Sequence, residues 1–268
     1  MDRIIAHLGR AVKWSRDTLA DASGPAVGHR GDDDTMKSII STMQKSRILL
    51  SWSSGKDAAW TLHVLRQSAQ VEVVGLLTTL DGASDRVAMH AVRRVLLERQ
   101  AEEAELPLLT ASLPWPCTNA EYEAVLSEAL ADARERLSVT HVAFGDLFLS
   151  DVRAYRERQL AGTGLTPLFP LWGRPTHTLA REMVTGGLRA TLTCVDPKCL
   201  PASFAGRAFD QSLLDALPEG IDPCGERGEF HTFAWAGPMF RAPLDPTVGK
   251  VVRRDGFVFA DLSTDAAE

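Results

Sequence analysis

The chain has 268 residues, 45% of them hydrophobic and 24% charged, and a formal net charge of −6, enough apolar content for one large core or two modest ones in a soluble globular protein. The acidic total argues against a broad nucleic-acid surface, no stretch approaches the roughly 20 apolar residues of a membrane helix, and the start lacks the pattern of a secretory signal, so a cytoplasmic protein without membrane contact is expected. Only six of the 29 basic residues are Lys, an Arg bias that points to a GC-rich, bacterial genome, and Cys117, Cys194, Cys199 and Cys224 form no CxxC pair, which fits scattered reduced thiols better than a zinc site.

Residues 1–45 hold a helix-capable opening, "MDRIIAHLGRAVKWSRDTLADA", and the turn-rich, charged stretch "SGPAVGHRGDDDT", read together as an extension and linker. From Arg47 short apolar runs alternate with amphipathic segments: "RILLSW", a helix over about 57–68, "VEVVGLLTT", and a helix over about 86–104. The series continues with a strand near "LPLLTA", a helix over about 119–137, the strand "THVAFGD", a helix over about 152–162 and the strand "TPLFPLW". Strands that are apolar throughout and joined by helices predict a Rossmann-like parallel sheet with helices on both faces, an α/β domain over 46–172. After Gly173 a helix over about 176–185, the runs "LRATLTCVD" and "EFHTFAWA", and the hairpin signal Asp255-Gly256 predict a smaller, strand-containing α+β domain over 173–262.

The first strand ends in "SWSSGKDAAW", residues 51–60, and feeds a helix. Such a junction gathers backbone N–H groups and the positive end of a helix, which suits an anion. The small residues let backbone approach phosphate oxygens, Gly55 accepts angles that others resist, and Lys56 could add a positive charge. The Walker pattern is not met, because Asp57 follows Lys56 and no glycine stands five residues before Gly55, and GxGxxG is absent. ATP is the obvious polyanion, and the plain alternative is a solvent-facing turn with a helix cap. Asp81, at the end of the second strand, could reach ribose, adenine or magnesium, or could simply cap a turn.

A second constellation is "DPCGERGEFHTF", residues 222–233, where glycines flank Glu226 and Glu229 ahead of His231 and Thr232. Two carboxylates and an imidazole on tight backbone could hold magnesium or an ammonium, or carry a proton; the plain reading is a charged turn before an edge strand.

The loop Ser53–Ser54–Gly55–Lys56–Asp57 resembles the SGGKDS pyrophosphatase loop, with Ser54 in place of one glycine and Ala58 in place of the last serine. Together with "GERGEFHT", "MHAVRRVLLERQAEEAELPL", Gly145-Asp146, "GLTPLFPLWGRPTHTLAREMVTGGLRATLTCVD" and "GPMF", the pattern over about 46–243 is similar to the ATP-binding family that includes diphthine–ammonia ligase, within the PP-loop, adenine nucleotide α hydrolase-like superfamily. The resemblance implies ATP held by Ser51, Ser53, Ser54, Gly55, Lys56, Asp57 and Ala58 with help from Asp81, Gly145 and Asp146, and Mg²⁺ carried with ATP at Asp57 or Asp81. It implies a ligase that adenylates a carboxylate, releases pyrophosphate, and lets ammonia displace AMP, with Lys56 at the phosphates and Glu226 or Glu229, or His231, taking the proton. In "SDVRAYRERQLAGTGL" the match is loose and only Glu157 is carried over.

The family's acceptor belongs to a eukaryotic and archaeal elongation factor while the composition reads as bacterial, so the carboxylate, free or on a protein, is left open, as is a homo-oligomeric state. Two other readings stand beside the ligase: an ATP- or AMP-binding regulator without turnover, which Ala58 favours, and a tRNA-modifying enzyme, which the lack of a basic face disfavours. His90 is read as a helix residue of the core or a cap, Trp115 and Tyr122 as aromatic packing or a stacking surface for adenine, and Cys224 as a buried thiol.

Overall fold

The computed structural model describes residues 45–87, 90–114 and 116–264; the extension expected before residue 45 and Trp115 lie outside the described residues. The chain begins with β1 (Ser46–Ser51), α1 (Lys56–Arg66), β2 (Val71–Asp81), β3 (Arg86–Val87) and α2 (Arg94–Glu103). It continues with β4 (Leu108–Leu113), α3 (Asn119–Leu137), β5 (His141–Ala143), α4 (Ser150–Leu160) and β6 (Thr166–Leu168). Then come α5 (Thr176–Thr185), β7 (Arg189–Val195), α6 (Gln211–Ala216), β8 (Phe230–Ala236), β9 (Thr247–Arg254) and β10 (Phe257–Ser263).

Five of the first six strands run parallel in the order β4-β2-β1-β5-β6, and β3 adds antiparallel to the end of β2. The central position of β1 follows from its apolar run: Ile48, Leu49 and Leu50 are all 0% exposed. Their alternation sorts them between two cores, Ile48 and Leu50 packing with α1 and α2, and Leu49 with α3 and α4. The chain therefore leaves β1 toward one face and β5 toward the other, and the crevice between these two strands is where a sheet of this kind binds ligands.

The second sheet is antiparallel, in the order β8-β7-β10-β9. Its hairpin turns at Asp255 and Gly256, with φ of 52° and 85°, the left-handed pair that a two-residue turn between twisted strands requires. One core runs beneath both sheets, joining Ile48 and Leu50 of β1 to Leu192 of β7, Phe233 of β8 and Val258 of β10.

The helix expected over 86–104 is shorter than its periodicity suggests. Residues Arg86–Val87 instead form β3, Val87 N donates to the Val92 carbonyl at 2.9 Å, Arg86 Nη1 donates to the Ala91 carbonyl at 2.7 Å, and α2 begins at Arg94. The buried valines at 87 and 92 mimic a helical face, but a hairpin closed by the Arg86 guanidinium satisfies the same backbone groups. His90 therefore sits in a turn, not in a helix, and this turn reaches the site. By contrast α3 coincides with its expected range, because Thr118 and Glu121 form a capping box that fixes its start.

Candidate nucleotide and acceptor site

The loop between β1 and α1 is held from three sides. Trp52 N donates to the Leu77 carbonyl at 2.8 Å, and the Trp52 carbonyl accepts from Thr78 Oγ1 at 2.6 Å. The Ser54 carbonyl accepts both from Ala234 N of β8 at 2.9 Å and from Gln100 Nε2 of α2 at 3.0 Å. Gln100 is 0% exposed and also takes Trp52 Nε1 on Oε1 at 3.0 Å, so its amide orients the Ser54–Gly55 peptide. In a trans peptide the N–H lies opposite the carbonyl, so the Gly55 N–H points away from Gln100 and toward Ser53, whose Oγ is 3.4 Å distant.

Ser54, standing where the pyrophosphatase loop has glycine, has φ 67°, and its hydroxyl is buried without a hydrogen-bond partner among the described residues. Gly55 has no room for a side chain, since a Cβ would lie 2.8 Å from His90 Cε1. His90 Nδ1 and the Thr232 carbonyl are 3.0 Å apart, which brings the turn before α2, the loop and β8 together. Of the first amides of α1, which lack intrahelical acceptors, that of Lys56 is taken by Thr232 Oγ1 at 3.0 Å, while Asp57 and Ala58 line a cavity of about 180 Å³. Gly145 lies against this turn: a Cβ there would be 3.1 Å from Ala58 N.

Lys56 does not swing freely over the cavity. Its ammonium donates to Asp57 Oδ2 at 2.8 Å and to the Cys224 carbonyl, and lies between the rings of Phe209 and Phe230, 5.6 and 5.4 Å from their centroids. Burial is the largest influence and opposes its charge, but Asp57, Cys224 and Glu226 together outweigh it, so the Lys56 pKa lies above its ordinary value. Asp57 Oδ1, the other oxygen of that carboxylate, is buried without a partner.

The turn over residues 222–229 ties itself. Asp222 Oδ1 accepts from Cys224 N at 2.9 Å and from Glu226 N at 3.3 Å, and Oδ2 accepts from Thr176 Oγ1 at 2.7 Å. Gly225 at φ 68° has its Cα where a side chain would meet the Phe230 carbonyl at 2.8 Å, so the tight turn requires glycine. Glu229 accepts from Asp222 N at 3.1 Å and from Arg227 N at 2.9 Å, one on each oxygen, and faces the turn rather than the cavity. Glu226 crosses to the first sheet, accepting from Leu147 N at 2.7 Å, and lines the cavity. Burial pushes its carboxyl up to about 8, with the charge of Asp57 adding to the shift and the Leu147 N–H opposing it.

Of the residues singled out in the sequence, Ser51, Ser53, Lys56, Asp57, Ala58, Gly145 and Asp146 border this one cavity from the first sheet, and Glu226 and His231 from the second. His90, Tyr122 and Cys224 border it too, with the His90 and His231 rings 4.8 Å apart. Asp81 does not: it accepts from Ala83 N at 3.0 Å and from Ser84 Oγ at 2.6 Å and closes the turn after β2. Glu157 pairs on the surface with Arg153 at 2.8 Å.

Residues 175–254, from the start of α5 through β9, match the family model of the diphthamide synthase C-terminal domain. A human diphthine–ammonia ligase is 27% identical over 239 residues, covering 81% of this chain and 89% of the relative, and the bovine protein of the same name is 26% identical over the same share. The zebrafish protein of that name is 34% identical over 125 residues, 44% of this chain and 49% of the relative. Over most of its length the chain is similar to the diphthine–ammonia ligases.

The region that matches the family model contains the Glu226 turn and β8, the side of the cavity that meets the phosphate-type loop. Two residues facing the site, Arg156 and Gln159, and the fully buried Gln100 behind the loop carry no sequence signal of their own: they stand in helices amid other polar residues, and only the fold turns them inward.

Proposed function

We propose that the protein is an ATP-dependent ligase that adenylates a carboxylate, releasing pyrophosphate, and then amidates it with ammonia. The observation that carries this reading is the meeting of the two motifs in one cavity: Ser53, Lys56, Asp57 and Ala58 on one wall and Glu226, with its carboxyl raised to about 8, on another. The ligase names of the relatives support the same class of reaction.

In this reading residues 46–172 hold the nucleotide and 173–262 the acceptor. The phosphates of ATP lie on the amides of the loop and the first turn of α1, and Lys56 contributes a fixed positive field from its buried position. Mg²⁺ fits at Asp57, whose Oδ1 is a buried oxygen without a partner, and not at Asp81, which is spent on its turn. Bound there, the ion would neutralise charge on the departing pyrophosphate. A carboxylate oxygen of the acceptor forms a bond to the α-phosphorus as the α–β bridge breaks, its electron pair leaving on pyrophosphate. Ammonium gives a proton to Glu226, the resulting ammonia forms a bond to the acyl carbon, and the acyl–oxygen bond breaks to expel AMP while the adduct's surplus N–H proton passes to solvent. Glu229, committed to two backbone N–H groups, shapes the turn that presents Glu226.

The test is incubation with ATP, magnesium, ammonium and a panel of carboxylates. Pyrophosphate release that depends on a carboxylate, with amide formed when ammonium is added, is the expected result. ATP binding without release for every acceptor would replace the ligase with a nucleotide-binding regulator, and release that needs tRNA would replace it with a tRNA-modifying enzyme.

A further inference from the structure

On the β5 side of the cavity three buried polar atoms have no hydrogen-bond partner among the described residues: Asp146 Oδ2, Arg156 Nε and Gln159 Nε2. All three residues border the cavity. Buried donors are almost always paired, so three unpaired atoms at one wall need an explanation. Arg156 and Gln159 are three residues apart on α4 and so project from the same face. The guanidinium lies over the Phe144 ring at 5.0 Å, and its Nε is 3.7 Å from Asp146 Oδ2, too far for a hydrogen bond but close enough for the carboxylate to hold its charge in place.

This wall is adjacent to the first turn of α1. Gly145, between Phe144 and Asp146, lies so close to Asp57 and Ala58 that a Cβ would be 3.0 Å from the Asp57 carbonyl carbon. A group seated at the helix start therefore lies between backbone amides on one side and, on the other, the unpaired Arg156 Nε and Gln159 Nε2, the guanidinium being held also by the Tyr122 side chain. Two donors, one of them cationic, call for an anionic group with more than one oxygen. Lys56 cannot serve that group directly, because its ammonium is committed to Asp57 and Cys224.

We propose that Arg156 and Gln159 form a two-donor fork for the α-phosphate of the bound nucleotide, with Asp146 holding the guanidinium in position. This rests on the ATP-binding reading given above. In the adenylation step the acceptor oxygen bonds to the α-phosphorus and the α–β bridging bond breaks. The non-bridging oxygens of the α-phosphate stay anionic throughout, and the fork stabilises them without any proton moving.

The experiment is calorimetry of the full chain with ATP, AMP and adenosine, for the wild type, Arg156→Met, Gln159→Leu and, as a control on the outer face of α4, Glu157→Gln. Arg156→Met should weaken AMP binding by about tenfold or more, the scale of a lost hydrogen bond to a charged group, and ATP binding similarly. Gln159→Leu should do so by a smaller factor, and adenosine affinity and the Glu157→Gln control should be unchanged. If Arg156→Met does not fold, Arg156→Lys and Gln159→Leu carry the test, each expected to weaken AMP more than adenosine. Wild type that binds AMP with the fork variants binding it equally well overturns the fork alone, as does an equal loss for adenosine. Wild type that does not bind ATP overturns the fork together with the nucleotide reading.

Discussion

The backbone amide of Lys56 donates to Thr232 Oγ1 at 3.0 Å, so two segments 176 residues apart form one hydrogen-bonded unit. The bond does for the start of α1 what an N-cap side chain usually does, since Gly55 has none to offer. It also makes the phosphate-type loop a neighbour of the family's acidic turn by construction, along with the bond from Ala234 N to the Ser54 carbonyl. Thr232→Val keeps the shape and removes the acceptor, leaving a buried N–H unpaired. The expected loss is about 1–3 kcal/mol of unfolding free energy. Thr232→Ser should retain most of the stability, and a loss in the Ser variant with none in the Val variant in denaturant melts would show that the methyl packing, not the hydroxyl, matters.

Lys56 has its charge enclosed rather than presented. Removing it in Lys56→Met strands the Asp57 carboxylate and the Cys224 carbonyl in a buried setting. Breaking one side of a buried pair typically costs about 3–5 kcal/mol, so the variant should melt well below the wild type. A variant of undiminished stability that had lost ATP affinity would instead give Lys56 the role of a phosphate-seeking arm.

Glu226 makes both stability and rate depend on pH. Its carboxyl is raised from 4.5 in the unfolded chain to about 8 when folded, chiefly by burial. A raised carboxyl binds its proton more tightly in the folded state, so its contribution to stability is complete below the unfolded pKa and is lost as pH rises through about 8. Glu226→Gln removes that loss. Relative to the wild type the variant should gain stability between pH ~5 and pH ~9, on the order of a few kcal/mol, measured by unfolding at each pH. Amide formation by the wild type should rise with pH through about 8, and the Gln variant should lose that inflection and fall by about 10²–10⁴-fold, the range for a general base, while pyrophosphate exchange with ATP persists. An unchanged profile would take the base away from Glu226.

Much of this was legible in the sequence because local signals and burial agree. The apolar run of β1 could only be a strand buried on both faces, and the glycines at 225 and 228, with φ of 68° and 86°, mark a turn that other residues resist. The two glutamates could not be told apart by spacing, because their roles depend on which backbone N–H groups each meets across the fold: Leu147 for Glu226, and Asp222 and Arg227 for Glu229. The sequence suggests a helix at His90 because valines at 87 and 92 satisfy a helical period as well as they satisfy the pairing of β3. Gln100 looked like one more polar residue on a helix surface, and only the packing of α2 against β8 and the loop makes it a fully buried clamp.

Ser54 is the position where the loop departs from its glycine pattern, and the structure gives the departure a measurable cost. An L-residue at φ 67° gives up roughly 1–2 kcal/mol relative to glycine, and its hydroxyl is buried without a partner. Glycine loses more backbone freedom on folding, which offsets about 0.5–1 kcal/mol of the gain. Ser54→Gly should therefore stabilise the protein by about 1 kcal/mol, a rise of about 2–4 °C in Tm for a chain of this size. Because the donors facing the cavity are backbone groups oriented by Gln100 and Ala234, ATP affinity should not fall. A variant that is more stable but binds ATP more weakly would mean that the Ser54 hydroxyl finds its partner in the nucleotide, which would place a side-chain donor where the SGGKDS pattern has glycine.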